Sequence, residues 1–264
     1  MLLTVDISNS RITLGGFAET DTGFDRELRF MAQIDTDRHR TTDQYACDLM
    51  QVLPLHNAAV KDIRHAIICS VVPELTTVFQ DAVYKLTNIL PLVLGPGIKT
   101  GLHVLLDNPA QLGSDLVAGA VAAAQLYPLP CAIFDLGTAT TISVLDGNGK
   151  FRGGIICAGV TMTLDSLAAN TSLLPNVPIA CPKKVIGTNT IHSMQSGAVY
   201  GTAAMMDGMV DRIEAELGEP VTVVATGSLA QTIAPVCRKS VHVCENLLLT
   251  GMRIIYEKNH PHCE

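Results

Sequence analysis

Three aspartates in this chain stand in settings suited to holding and moving a phosphoryl group. The first is Asp135. A short apolar run, Cys131-Ala132-Ile133-Phe134, reads as a buried strand that ends on this carboxylate. Gly137 and the hydroxyl residues Thr138, Thr140 and Thr141 follow, then a second strand pattern, Ile142-Ser143-Val144-Leu145, and the turn Asp146-Gly147-Asn148-Gly149. The layout is strand, acid, tight turn, strand. Gly137 lets the backbone approach a ligand closely. Backbone N–H groups and threonine hydroxyls can cradle phosphate oxygens. A carboxylate at the strand end can hold Mg²⁺, usually through water.

The second is Asp6. Leu2-Leu3-Thr4-Val5 is an apolar strand pattern that ends on it, Ile7-Ser8-Asn9-Ser10 forms the turn, and a strand resumes at Arg11-Ile12-Thr13-Leu14. Acid, aliphatic, small residue, polar residues, new strand: the unit of Asp135 occurs twice, once opening each half of the chain. A repeat of long period is stronger evidence than either copy alone. The expectation is that Asp6 and Asp135 meet at one crevice and grip a nucleotide triphosphate with its metal. The third is Asp115, in the stretch Asp107-Asn108-Pro109-Ala110-Gln111-Leu112-Gly113-Ser114-Asp115-Leu116. Asn-Pro marks a turn. From Asp115 the chain runs on as an alanine-rich helix, apolar all round and therefore buried. A carboxylate in its first turn complements the helix dipole. It could equally be the general base that accepts a substrate hydroxyl proton.

The remaining elements must position these groups. Residues 27–30 read as a third strand, 41–52 as a helix capped by Thr41 or Thr42, and 63–72 as a strand. A helix over 74–87 and a strand over 91–94 follow. In the second half, 150–156 is a strand and 161–170 a helix. A long small-residue helix begins near Asn189 or Thr190 and runs to 217, with His192 on its surface. A strand over 220–225 leads through Thr226-Gly227-Ser228 towards a helix whose N-terminus could lie near a nucleotide. The last helix spans 245–258. With 264 residues, nearly half of them apolar, the chain can build two domains; the expected division is 1–114 and 115–264. A net charge of −7 without a basic run argues against nucleic acid. No apolar run reaches the ~18 residues of a membrane span, and no cleavable leader pattern opens the chain. The eight cysteines contain no CxxC, so neither a disulfide scaffold nor a zinc site is indicated. The expectation is a soluble, cytoplasmic protein.

Taken together, these pieces make the sequence resemble the actin/hexokinase/Hsp70-like ATPases, and within them the type III pantothenate kinases. The resemblance rests on Asp6 to Asn9, Asp107-Asn108-Pro109 with Gly113 and Asp115, Asp135 to Thr141, Gly153-Gly154 with Gly159, Gly187 through Gly197, Thr226-Gly227, and Leu249-Thr250-Gly251-Met252. It implies an α/β fold of two ribonuclease-H-like lobes, with mixed sheets flanked by helices. It implies ATP-dependent phosphorylation of pantothenate to 4'-phosphopantothenate, the first step of coenzyme A biosynthesis, with Asp115 as general base. It implies Asp6 and Asp135 at the metal. Asp6, Ser8, Asn9, Ser10, Gly137, Thr138, Thr140, Thr141 and Gly227 would lie at the nucleotide. Gly113, Ser114, Leu116 and Thr190 would lie at the acceptor. ATP, Mg²⁺ and a monovalent cation, K⁺ or NH₄⁺, are the implied cofactors. A homodimer is implied, in which Thr190 completes the partner's pocket.

Departures from the family pattern leave the nucleotide side mostly intact and take polar anchors from the acceptor side. Ser8 and Ser10 replace the glycine and threonine of Asp-x-Gly-Asn-Thr. Leu116 replaces the arginine of Gly-x-Asp-Arg, and Leu106 a tyrosine. Ala158 and Ser228 replace a proline and a glycine. Losing one buried charged donor costs about 2–5 kcal/mol of substrate binding. Two alternatives therefore stand beside the pantothenate reading: a kinase for a different small alcohol, and a catalytically impaired relative that acts as a nucleotide-binding regulator.

Overall fold

A computed structural model describes residues 1–260; Cys263 lies outside them. The chain forms two compact units. In the first, β1 (Leu2–Ile7), β2 (Arg11–Thr20) and β3 (Gly23–Asp35) make an antiparallel meander. After α1 (Thr42–Leu55), β4 (His65–Ser70) lies parallel to β1. After α2 (Pro73–Thr87), β5 (Leu92–Val93) lies parallel to β4. The sheet order is β3-β2-β1-β4-β5. Side chains alternate across β1. Leu3, Val5 and Ile7 join Tyr45, Leu49 and Leu53 of α1 and Phe79 and Val83 of α2 in one core, and Leu2, Thr4 and Asp6 take the opposite face. Thr41 caps α1 through a full capping box with Gln44.

In the second unit, β6 (Cys131–Leu136), β7 (Ala139–Leu145) and β8 (Phe151–Ala158) repeat the meander. After α4 (Val160–Asn170) and α5 (Thr190–Leu217), β9 (Thr222–Thr226) lies parallel to β6. After the four-residue α6 (Ala230–Ile233), β10 (Val241–Val243) lies parallel to β9. The order β10-β9-β6-β7-β8 is the order of the first sheet over again. The intervening helix α3 (Ser114–Leu126) is shared between the units, and α7 (Leu247–Asn259) returns to the first. Asn189 caps α5 by accepting from the His192 N–H at 2.8 Å.

Three expectations change. The units are not the two contiguous segments 1–114 and 115–264. Among the described residues the first takes 1–101, 108–122 and 247–260, and the second 102–107 and 123–246. The cause is packing: α7 lies against β1 and β4, and a Cβ on Gly251 would stand 1.9 Å from the Ala118 carbonyl oxygen, so α7 clasps the first half of α3 at backbone contact. The strand near 27–30 is part of a much longer hairpin, β2 with β3. Finally, α6 is one turn long, too short for a helix dipole to serve a ligand.

Candidate active site

In the first unit, the backbone alternation that buries Leu3, Val5 and Ile7 sends Asp6 to the other face of β1. Its cross-strand neighbours are Thr13 on β2 and Cys69 on β4. Asp6 is 7% exposed. Ser8 Oγ donates to its Oδ2 at 3.1 Å. Ser8 is not among the residues with positive φ, so a side chain there imposes no backbone strain. The turn is buttressed from the segment beyond β3. Thr36 Oγ1 donates to the Ser8 carbonyl at 2.7 Å, the Thr36 N–H to that of Ser10, and Arg38 Nη2 to Asn9 Oδ1 at 2.9 Å. Glu74, at the head of α2, lies 3.8 Å from the same guanidinium.

Asp115 occupies the first turn of α3, as its sequence pattern suggests. Burial pushes its carboxyl above the usual aspartate value, against the opposing effect of backbone N–H groups, chiefly that of Leu116, which donates to Oδ1 at 2.8 Å. A Cβ on Gly113 would stand 2.4 Å from Oδ1, so that glycine gives the carboxylate its room. Ser114 turns its hydroxyl into the protein: Oγ donates to the Ser70 carbonyl at 3.1 Å and accepts from the Cys69 thiol at 3.3 Å. Cys69 is wholly buried. Burial first, then the charges of Asp6 and Asp115, hold its thiol well above the usual range. Cys69 is the cross-strand neighbour of Asp6 and donates to the residue that precedes Asp115, so the strand of the one aspartate and the helix of the other meet at this thiol.

In the second unit, Asp135 lies between Thr141 on β7 and Thr226 on β9. Three glycines shape its surroundings. Gly227 has φ +88°, and a Cβ there would meet Asp135 Oδ1 at 2.7 Å and the Leu136 backbone. A Cβ on Gly137 would meet the same oxygen at 3.4 Å, and one on Gly159 would collide with the carbonyls of Gly137 and Thr138. Thr138 is exposed and Thr141 half-buried beside Asp135. Thr140 is different. It pairs with Leu136, shares the core-facing side of β7 with Ile142 and Val144, and is 1% exposed. Strand alternation therefore removes it from the aspartate's face, and the expectation that it contacts nucleotide is not supported. Thr190 opens α5 on the wall of a cavity of about 820 Å³, which Val160, Leu164, Leu174 and Met194 also line.

Arg38, Thr36 and Cys69 escape a reading of the sequence. The first two reach the Asp6 turn across 28 to 29 residues, and Cys69 looks like any small apolar strand residue. The only signal is the polar run Asp35-Thr36-Asp37-Arg38 closing a strand. Among the described residues no three His, Cys, Asp or Glu side chains cluster to hold a metal.

Solved structures with the same architecture define the class. Component A of the (R)-2-hydroxyglutaryl-CoA dehydratase of Acidaminococcus fermentans superposes with a TM-score of 0.56 at 13% identity, over 98% of this chain and 97% of its own. A Campylobacter jejuni protein assigned to the Baf family of transcriptional activators reaches 0.59 at 17%, over 99% and 100%. At such identities the likeness speaks for the fold alone, which is that of the actin-like ATPases. Sequence narrows the class. The family model for type III pantothenate kinase matches residues 2–212. The type III pantothenate kinase of Myxococcus xanthus is 38% identical over 98% of this chain and 99% of its own length, and that of Exiguobacterium sibiricum 40% over 98% and 100%. The chain belongs to the type III pantothenate kinase family.

Proposed function

We propose that this protein transfers the terminal phosphoryl group of ATP to pantothenate, giving 4'-phosphopantothenate. The observation that carries the mechanism is the state of Asp115: a half-buried carboxylate of raised basicity at the head of α3, given room by Gly113. Asp115 accepts the proton of the acceptor hydroxyl as that oxygen attacks the γ-phosphorus. Asp6 and Asp135 serve the magnesium that accompanies the nucleotide. The Ser8–Ser10 turn, Gly137, Thr138 and Thr141 present N–H and hydroxyl donors to phosphate oxygens. Gly227 keeps a side chain away from Asp135. A monovalent cation, K⁺ or NH₄⁺, beside the Asp135 hairpin belongs to the same reading.

A homodimer is also proposed. Ile156, Leu173, Val185, Ile186 and Ile191 are all 48% exposed or more and fall in one stretch of the second unit. Large apolar side chains concentrated in this way suit a covered surface. Thr190, in the same stretch, is the residue this reading gives to the partner's acceptor pocket. No helix among the described residues is long and apolar enough to cross a membrane, and none of the described cysteines is paired in a disulfide; a cytoplasmic location is proposed on that basis.

The test is ADP release coupled to an indicator, with ATP, Mg²⁺, K⁺ and pantothenate. Turnover that depends on pantothenate is expected. ATP binding without it would favour the regulatory reading, to which Leu116, in place of the family arginine, lends a specific reason.

A further inference from the structure

We propose that Ser114 is a positioning residue for Asp115. Its hydroxyl, bonded to the Ser70 carbonyl and the Cys69 thiol, latches the head of α3 to the end of β4 and thereby sets the place of the Asp115 carboxylate relative to Asp6. The inference rests on the reading of Asp115 as the general base.

The geometry separates two jobs that sequence alone would merge. The orientation of the carboxylate on its own helix comes from its neighbours: the Leu116 N–H holds Oδ1 at 2.8 Å, and Gly113 leaves space for it. The placement of the helix head against the sheet comes from Ser114. Its bond to the Ser70 carbonyl spans 44 residues of chain, and its bond from the Cys69 thiol 45. Cys69 is paired with Asp6 in the parallel register of β1 with β4, and Ser70 with Ile7. The latch therefore attaches α3 to β4 at the level of the other carboxylate.

A pivot makes the latch matter. Gly251 of α7 touches the Ala118 carbonyl so closely that a Cβ there would stand at 1.9 Å. That contact fixes α3 four residues, or about 6 Å, beyond Ser114. Asp115 lies on the end beyond the pivot, where Ser114 supplies the side-chain restraint. The thiol suits its part. Wholly buried, it donates to Ser114 Oγ while that hydroxyl donates to the Ser70 carbonyl, so the relay runs in one sense, from S–H to O–H to carbonyl. The serine hydroxyl is engaged on both sides of this relay.

The experiment is steady-state kinetics of Ser114→Ala, Ser114→Thr, Cys69→Ala and Asp115→Asn with ATP and pantothenate, with thermal midpoints recorded for each. Ser114→Ala should lower kcat about tenfold, because displacing a reacting group by a fraction of an ångström costs rate and not binding. KM for both substrates should stay within about twofold. Ser114→Thr keeps the hydroxyl and should recover kcat to within about threefold of the parent. Cys69→Ala removes only the first link and should cost about two- to threefold; it also carries the test should Ser114→Ala fail to fold. A parental kcat in Ser114→Ala, a loss confined to the pantothenate KM, or no rescue by threonine would overturn the proposal. If Asp115→Asn keeps turnover, the base assignment itself fails. If Asp115→Asn is inactive and Ser114→Ala is parental, only the latch fails.

Discussion

The hairpins of Asp6 and Asp135 share one backbone design and differ in what fills it. Both aspartates are the penultimate residue of the first strand of a sheet with the same strand order, and both are flanked by an antiparallel and a parallel neighbour. Asp6 stands between Thr13 and Cys69, Asp135 between Thr141 and Thr226. The first turn has four residues, Ser8 to Arg11, between its last paired positions, and the second has three, Gly137 to Ala139. Side chains support the first turn: Ser8 on Asp6, Thr36 on Ser8, Arg38 on Asn9. Glycines surround the second: Gly137, Gly159 and Gly227 let main chain pack where a methyl group would collide. After the parallel neighbour comes Ser70 in one unit and Gly227 in the other. A duplicated scaffold has thus been specialised, with side-chain buttressing and the proposed base in one copy and close backbone approach in the other.

The sharpest way to break this comparison is to remove the proposed base, which has no counterpart in the second unit. Asp115→Asn should lower kcat by about 10²–10⁴-fold, with the nucleotide Kd from titration calorimetry little changed. The pH profile should agree. Burial holds this carboxyl above its usual value of 3.8, so it keeps its proton to higher pH. The base form is lost as pH falls through the raised value. The acid limb of kcat should therefore lie above the usual aspartate range and vanish from the residual activity of the asparagine variant.

Next in size is the glycine asymmetry. Gly227→Ala places a methyl group against Asp135 and the Leu136 backbone at a positive φ, and should cost about 2–4 kcal/mol in urea denaturation. Ser70→Ala, at the corresponding place, loses only the local turn bonds of its hydroxyl to the Val72 backbone and should cost about 1 kcal/mol or less. Equal costs would mean that the two turns are not specialised. Arg38→Ala removes the exposed cation beside the Asp6 turn and should raise the KM for ATP by about three- to tenfold, less at high salt. Ser8→Gly should be the mildest. It restores the residue usual in the family's loop at a position without positive φ, so kcat should stay within about twofold and stability fall by about 0.5–1 kcal/mol.

Much of this arrangement is legible from sequence because the chemistry is local. An apolar run that ends on an acid, followed by small and polar residues, marks each hairpin. Alanine-rich composition marks α3, and Asn189 marks the start of α5. What escapes is non-local or short. The lengths of β2 and β3 are hidden by charged residues on their solvent side, and β10 is three residues with a histidine at its centre. Arg38 gains its place only when β3 folds back beside the first turn. Thr140 shows the opposite failure: its membership in a run of threonines outweighed the period-two pattern with Ile142 and Val144 that assigns it to the core.

The clasp of Gly251 on Ala118 has a bearing on how the molecule is made. The first unit draws on three stretches of chain, and the last of them, α7, emerges from the ribosome only after every strand of the second unit. Until then the amino-terminal sheet lacks the helix that packs on β1 and β4, whereas the second unit has all but residues 102–107 in one stretch. Loss of α7 should accordingly unravel the oldest part of the polypeptide and spare the younger, reversing the usual order in which nascent domains mature.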